Sequence, residues 1–434
     1  MPMWTVTDTP AHERARRLHE EITGTGAVAV ADAPATYPLI GEHVDHAGGL
    51  VIVGVADLRA AVAYSPRPDS VIRVSSQRYG ADGAPGEVET DTIDVAVVSE
   101  RAAEQQSAID QEGQPVTPDA PVGGAAARVG GLVWTLVHRQ LLSRETQGMD
   151  VTIVSDIPAG LGLGADTAVD AALAVALQAA SPELGDAPLR ARLAEIASQA
   201  ADTFSARPAL RARHTAALRC PGDTVSIIDY ADGSVTQAPH PVNREVRGFV
   251  VGLPVEKQRD AAEAYALIRR QRLFLEEACR AFGTETLRQL PDAATRVLDW
   301  LQAVHKVRGP EEAASTEQAD AWLSFIDAET GRAQRAARAL RSRRGEEIGQ
   351  LLAQSQAELN ARLGLPASDE LAELARVRGA LSARATSAGL GESVVALVPA
   401  ARAANFAADL VAEGFIVVEL APGARADLAP EPSA

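Results

Sequence analysis

The stretch PLIGEHVDHAGGL, Pro38–Leu50, decides how the rest of this 434-residue chain is read. An apolar lead-in runs into Glu42, His43 and Asp45, and two glycines then release the chain into a second apolar run. Three readings of these residues are open. The segment can be a solvated loop. A metal site is a poorer fit, because no further His or Cys cluster accompanies His43 and Asp45. A site for adjacent hydroxyls, such as those of a sugar, is the sharper alternative to the loop. Carboxylates and an imidazole make good partners for hydroxyl pairs, and Gly48–Gly49 let the backbone turn close to a ligand.

Working outward, the pattern predicts an amphipathic helix at 11–22 and Val/Ile-rich strands near 27–33, 50–56, 60–65, 70–76 and 93–98. Residues 80–90 and 108–124 read as Gly/Pro/acid loops. A helix at 125–146 leads to a strand at 150–157, a glycine-rich turn and a small-residue helix at 166–180. A helix at 188–203 and strands at 223–230 and 248–254 follow. Four long helices are expected near 258–282, 292–306, 317–341 and 345–363. A strand (393–398), a helix (400–413) and a strand (415–420) close the order. Strands early and helices late indicate an α+β chain of two domains, 1–200 and 201–421, with 422–434 a disordered Pro/Ala-rich tail.

Composition narrows the function classes. The chain is 46% hydrophobic and 23% charged, with a net charge of −17. That charge disfavours nucleic acid or an anionic membrane as partner, since phosphate backbones require dense positive patches. Cys220 and Cys279 are the only cysteines, with neither metal spacing nor a disulfide framework. Without an apolar leader or a membrane-length run, the expected location is the cytoplasm.

Four further segments carry chemistry. In DIPAGLGLGADTAVDAAL (156–173), the glycines at 160, 162 and 164 free backbone N–H groups at a helix start, a geometry that is either a tight turn or an anion cradle. Asp166 reads as a helix N-cap. SARATSAGLGESVVALV (382–398) is a second glycine-containing turn before a strand. ADTFSARPALRARHTAALRCPGDTVSIIDY (201–230) and AYALIRRQR (264–272) complete the set.

LIGEHVDHAGG resembles the signature of galactokinases, members of the GHMP small-molecule kinase superfamily, and the other segments resemble that family's remaining motifs in the same order. The resemblance spans nearly the whole chain. It implies an N-terminal domain related to the second domain of ribosomal protein S5, a ferredoxin-like C-terminal domain with added helices, and a ligand cleft between them. It also implies sugar contacts at Glu42, His43, Asp45 and Tyr265, and nucleotide contacts at Pro158, Gly160, Gly162, Leu163, Gly164, Gly389 and Gly391. Asp170 falls at a metal-binding glutamate position, so MgATP would be the cofactor of an active enzyme.

The departures concern function. Thr36 stands at the family's arginine and His46 at its tyrosine. Gly164, Ala165 and Asp166 replace the cradle serines, and Ser387, Ala388 and Glu392 replace glycines of the third motif. With Thr203, Phe204, Pro208, Ile228 and Asp229 in register, Arg213 falls at the catalytic aspartate and Leu210 at a sugar-contacting glycine. Arginine has no acceptor and cannot serve as a base. His214 is adjacent, but its helical position points it elsewhere. Arg213 needs an anionic partner, with Asp45 the expected internal one and an anionic sugar the alternative. Asp166 and Glu392 are expected to weaken nucleotide binding. The chain thus reads as a galactokinase homologue that keeps a sugar site with weak or no kinase activity. The alternatives are a working divergent sugar 1-kinase and a non-catalytic structural partner of another enzyme.

Overall fold

The computed structural model describes residues 3–106, 108–109, 115–116, 118–309, 314–365, 368–386 and 389–431. Ser387 and Ala388 lie outside the described residues. Helix α1 (Ala11–Thr23) covers a sheet whose centre is the antiparallel pair β1 (Ala29–Ile40) and β2 (Leu50–Pro66). All of β1 is buried, and its two prolines sit beside the register shifts at Pro34/Ala35 and Pro38/Ile40, where a ladder tolerates them. The two strands expected at 50–56 and 60–65 are one continuous strand, β2.

Beyond β2 come β3 (Val71–Tyr79), β4 (Pro85–Asp94) and β7 (Met149–Ser155), in the order β2-β7-β3-β4. The loop expected at 80–90 is largely edge strand β4, and the strand expected at 93–98 is the start of helix α2 (Val95–Glu104). The β4 sequence PGEVETDTID lacks an apolar face because it is almost wholly exposed, held by its ladder to β3. The Asp94 side chain caps α2 by accepting from the Ala96 N–H, which switches the chain from strand to helix. A short ribbon, β5 (Ala108–Ile109) and β6 (Pro115–Val116), precedes helix α3 (Ala125–His138).

Alanine-rich α4 (Ala165–Leu177) packs on β1 and β2, flanked by α5 (Ala187–Phe204) and α6 (Arg211–Arg219). Strands β8 (Thr224–Asp229) and β9 (Ser234–Pro239) extend the same sheet through β2. The sheet therefore draws strands from both sides of residue 200.

The smaller sheet has the order β11-β12-β10-β13, from β10 (Val246–Gly252), β11 (Ser382–Ala385), β12 (Ser393–Pro399) and β13 (Ile416–Leu420). Helices α11 (Asp369–Val377) and α12 (Ala403–Ala412) share its core. Helices α7 (Ala262–Phe282), α8 (Ala293–Arg308), α9 (Thr316–Arg341) and α10 (Gly345–Leu363) form the remaining layer, where Phe274 packs on Trp322 with ring centroids 5.7 Å apart.

The expectation of a disordered tail is corrected for its described part. Asp427–Leu428 form β14 against β1. Arg190, buried, donates to the carbonyls of Leu184 (2.6 Å) and Ala426 (2.5 Å) and pairs with Asp427 at 3.2 Å. A buried guanidinium needs acceptors, and the tail supplies them despite its Pro/Ala composition. Among the described residues no helix is long and apolar enough to cross a membrane.

Candidate functional site

The Glu42–Asp45 segment is the connection between the two central strands. Gly41 has φ +95°, and a Cβ there would lie 2.2 Å from the Leu50 carbonyl oxygen, so the close return of the chain requires glycine. His43 also adopts a left-handed backbone, φ +65°. A 3-10 turn, Asp45–Ala47, follows.

Glu42, His43 and Asp45 are all buried. Glu42 is ion-paired with Arg384 in a network of fully buried groups. Arg384 donates to Ser355 Oγ (2.8 Å) and reaches Glu329 (3.4 Å), while Glu329 accepts from the Gly41 N–H (3.0 Å) and Ser355 Oγ (2.6 Å). Burial pushes the Glu42 carboxyl above its usual range against the pull of Arg384. Asp45 accepts from the Arg211 N–H at 3.1 Å. Burial alone would raise its pKa, but His46, Arg272 and Arg211 together hold it below the usual carboxylate range.

This neighbourhood holds buried polar atoms without a hydrogen-bond partner: Asp45 Oδ1, His46 Nε2 and Gln271 Nε2. Each costs roughly 1–3 kcal/mol if left unmatched, so the cluster is suited to polar occupants such as hydroxyls or water.

Arg213 does not pair with Asp45, which corrects that expectation. It is buried on α6 and donates through Nη1 to the Thr36 carbonyl and Oγ1, and through Nη2 to the Thr386 carbonyl at 2.7 Å. Its guanidinium thus lies against Thr36, the residue at the family's arginine position. Burial, partly offset by Glu42, lowers its pKa to about 10.

The glycine-rich turn has left-handed backbone at Gly160, Gly162 and Gly164. Gly164 is the N-cap of α4, with no side-chain cap bond. Asp166 is therefore not the cap; it is half-buried, 3.6 Å from Arg207. A Cβ at Gly164 would meet Thr36 Oγ1 at 2.4 Å and Arg213 Nη1 at 3.1 Å.

Asp170 is corrected as a metal candidate. Arg128 grips both its oxygens (2.8 and 2.5 Å), and His214 Nε2 lies 2.9 Å from Oδ2. These charges hold its pKa down against burial. Magnesium needs open carboxylate oxygens, and Asp170 has none to offer. Among the described residues no group of three or more His, Cys, Asp or Glu could hold a metal ion. The residues at this position do not fit Mg²⁺. His214 is buried against Asp170, which engages its Nε2.

Glu392 is also not a free charge. It accepts from Arg259 Nε (2.7 Å) and N–H (2.8 Å). With Asp166 opposite Arg207, the expected repulsion of phosphate is offset by arginine at both turns.

These pieces surround a cleft of about 590 Å³. Pro158, Gly160, Gly162, Leu163, Gly164, Gly391 and Tyr265 line it, as do five arginines: 78, 128, 207, 213 and 259. Gly389 does not line it, nor do Glu42, His43 and Asp45, which are buried. Sequence reasoning missed Arg78, Arg128, Arg207 and Arg259, which carry no local signature. It also missed Glu329 and Ser355, which are far from any motif. Of the basic run on α7, Arg269 instead anchors the backbone at Pro118 and Asp119, both 3.1 Å away.

The galactokinase galactose-binding signature matches residues 17–66, and the GHMP kinase N-terminal and C-terminal domain families match 129–208 and 336–416. The galactokinase of Streptomyces coelicolor is 27% identical over 385 residues, covering 88% of this chain and 87% of that one. The Mycobacterium tuberculosis galactokinase is 28% identical over 379 residues, covering 86% and 90%. Lactococcus lactis galactokinase, solved with galactose, superposes with a TM-score of 0.68 at 17% identity, covering 96% of this chain and 99% of that one. Methanococcus jannaschii mevalonate kinase superposes at 0.51 and 13% identity, covering 92% and 98%. With the two-domain α+β architecture of the superfamily and its motifs in order, this chain belongs to the galactokinase family of GHMP kinases.

Proposed function

We propose that the protein is a sugar-binding galactokinase homologue with weak or no phosphoryl-transfer activity. Arg213 carries this reading. Phosphoryl transfer by this family's route requires a group that orients the sugar hydroxyl and accepts its proton. The guanidinium at that position can do neither, and its N–H groups are directed at the Thr36 and Thr386 carbonyls. The loss of open oxygens at Asp170 supports the same conclusion from the metal side. The unmatched polar atoms around Asp45 and His46 support a retained site for a hydroxyl-rich ligand, with Glu42, His43, Asp45 and Tyr265 the residues proposed to shape it.

Two steps follow for such a ligand. Asp45, ionised, accepts from sugar hydroxyls, while neutral His46, its pKa held near 4 by burial, offers one donor and one acceptor. Binding then matches buried groups and stabilises the fold.

The test is ADP release from MgATP across a panel of hexoses, beside thermal stabilisation by the same sugars. Stabilisation by a hexose without turnover is expected. Turnover at a rate typical of small-molecule kinases would restore the active-kinase reading.

A further inference from the structure

We propose that a second cavity, on the outer face of the Asp45–Gly49 turn, binds a compact organic cation with an apolar body, and that this occupant steadies the turn through Arg288. The proposal rests on the sugar-binding reading only for its consequence, tighter sugar binding.

The cavity measures about 490 Å³, within the range of small-molecule sites, and shares no lining residue with the larger cleft. Its walls come from Ala47, from the segment 287–294 and from one stripe of α9. Leu287, Leu323 and Ile326 are buried there and, with Leu290, offer apolar surface to a ring or branched alkyl body. Asp292 and Asp327 stand exposed at the rim, and neither has an ion-pair partner among the described residues. Arg288, the cation of the lining, is already matched by Asp229 at 2.6 Å. The unbalanced charge is therefore negative and favours an ammonium group. Thr330 also lines the cavity, is 7% exposed and has a hydroxyl without a partner. Polar capacity is thus left unfilled beside the apolar wall.

The same residues hold the turn that carries Asp45 and His46. Ala47 closes that 3-10 turn and lines the cavity. Arg288 Nη1 donates to the Gly48 carbonyl at 2.9 Å while pairing with Asp229, whose neighbour Tyr230 donates its N–H to the Gly49 carbonyl at 3.0 Å. Behind the two glycines there is no spare room: a Cβ on Gly48 would lie 2.6 Å from Thr286 Oγ1, and one on Gly49 2.8 Å from Thr330 Oγ1. The Arg288–Asp229 pair is partly open to water, with side chains 29% and 22% exposed. An occupant that displaces that water strengthens the clamp on Gly48, because charge-assisted bonds gain as the local dielectric falls. A steadier turn loses less freedom when a sugar binds, which is positive coupling between the two sites.

The probe is cyclohexylamine, compared with cyclohexanol and cyclohexanecarboxylate, titrated into the full chain by saturation-transfer NMR. The amine should bind about threefold to tenfold tighter than the alcohol, the range set by two exposed carboxylates, and the carboxylate weakest. The double variant Asp292→Asn/Asp327→Asn should remove that preference and keep the fold, since Asn tolerates the left-handed backbone of residue 292, φ +54°. Hydrogen exchange reads the coupling without any sugar. Saturating amine should slow exchange at the Gly48 and Gly49 amides, which bond the Asp45 and Val44 carbonyls, severalfold in the parent and not in Arg288→Met. Equal binding of amine and alcohol, a preference surviving in the double variant, or unchanged exchange in the parent would each overturn the proposal. Galactose that fails to bind in any of these states would sink the sugar-binding reading instead, so the two fail separately.

Discussion

Removing Arg384 should destabilise the protein in a way that depends on pH. Its guanidinium is fully buried and touches Glu42, Glu329 and Ser355, so Arg384→Ala leaves two carboxylates in the interior without that partner. Glu329 keeps Arg332, 2.8 Å from Oε2, whereas Glu42 keeps only distant cations. Breaking a buried pair by removing one partner costs about 3–5 kcal/mol. With an unfolding entropy of roughly 2 cal/mol/K per residue, that lowers Tm by roughly 3–6 °C for a chain of this size. The sign of the pH effect follows from Glu42, whose folded pKa is already raised by burial. A group raised in the folded state stabilises below its unfolded pKa, and that contribution fades as pH rises through the folded one. Loss of Arg384 raises it further, so the variant's deficit should be small near pH 4 and grow toward neutrality. Urea unfolding of parent and variant across that range measures it. The double variant Glu42→Gln/Arg384→Met removes both charges and should recover much of the loss. A deficit below about 1 kcal/mol, or one independent of pH, would refute the reasoning.

Arg213→Asp alone should not produce sugar phosphorylation, because Thr36 and the occupied Asp170 remain and residues acting as a unit are non-additive; ADP release checks it. His240 is neutral and buried beside the Tyr37 hydroxyl, with a pKa near 4, so stability should fall as pH drops from about 6.5 toward 4, by up to roughly 3 kcal/mol, and His240→Gln should flatten that slope in acid unfolding curves. Gly164→Ala combines φ +69° with a Cβ 2.4 Å from Thr36 Oγ1; it should cost about 1–3 kcal/mol in denaturant melts. Arg190→Ala removes the donor to Ala426 and should make the C-terminal segment sensitive to limited proteolysis at unchanged Tm within a few degrees, since the released segment is short.

The sequence by itself determined the family and most of the architecture. The Glu42–Asp45 loop, the glycine turn before α4 and the order of strands and helices are local patterns, because hydrophobic period and turn chemistry act over a few residues. It also determined that position 213 carries no base, since that is a property of the residue type. Where it failed, partners distant in sequence decided. Edge strand β4 has no apolar alternation because backbone pairing with β3 holds it, and residues 426–428 of the tail are held because Arg190 and β1 supply bonds its composition does not predict. Asp166 and Glu392 read as charges that weaken nucleotide binding and Asp170 as a metal candidate, yet each meets an arginine from another element: Arg207, Arg259 and Arg128. Arg213 read as a partner of Asp45 or of an anionic sugar; within the protein it bonds the carbonyls of Thr36 and Thr386 and not Asp45. The electrostatic character of the cleft depends on which charges lie within a few ångströms, and the coulombic energy between groups falls with that distance and with burial. Neither quantity exists along the chain until it folds.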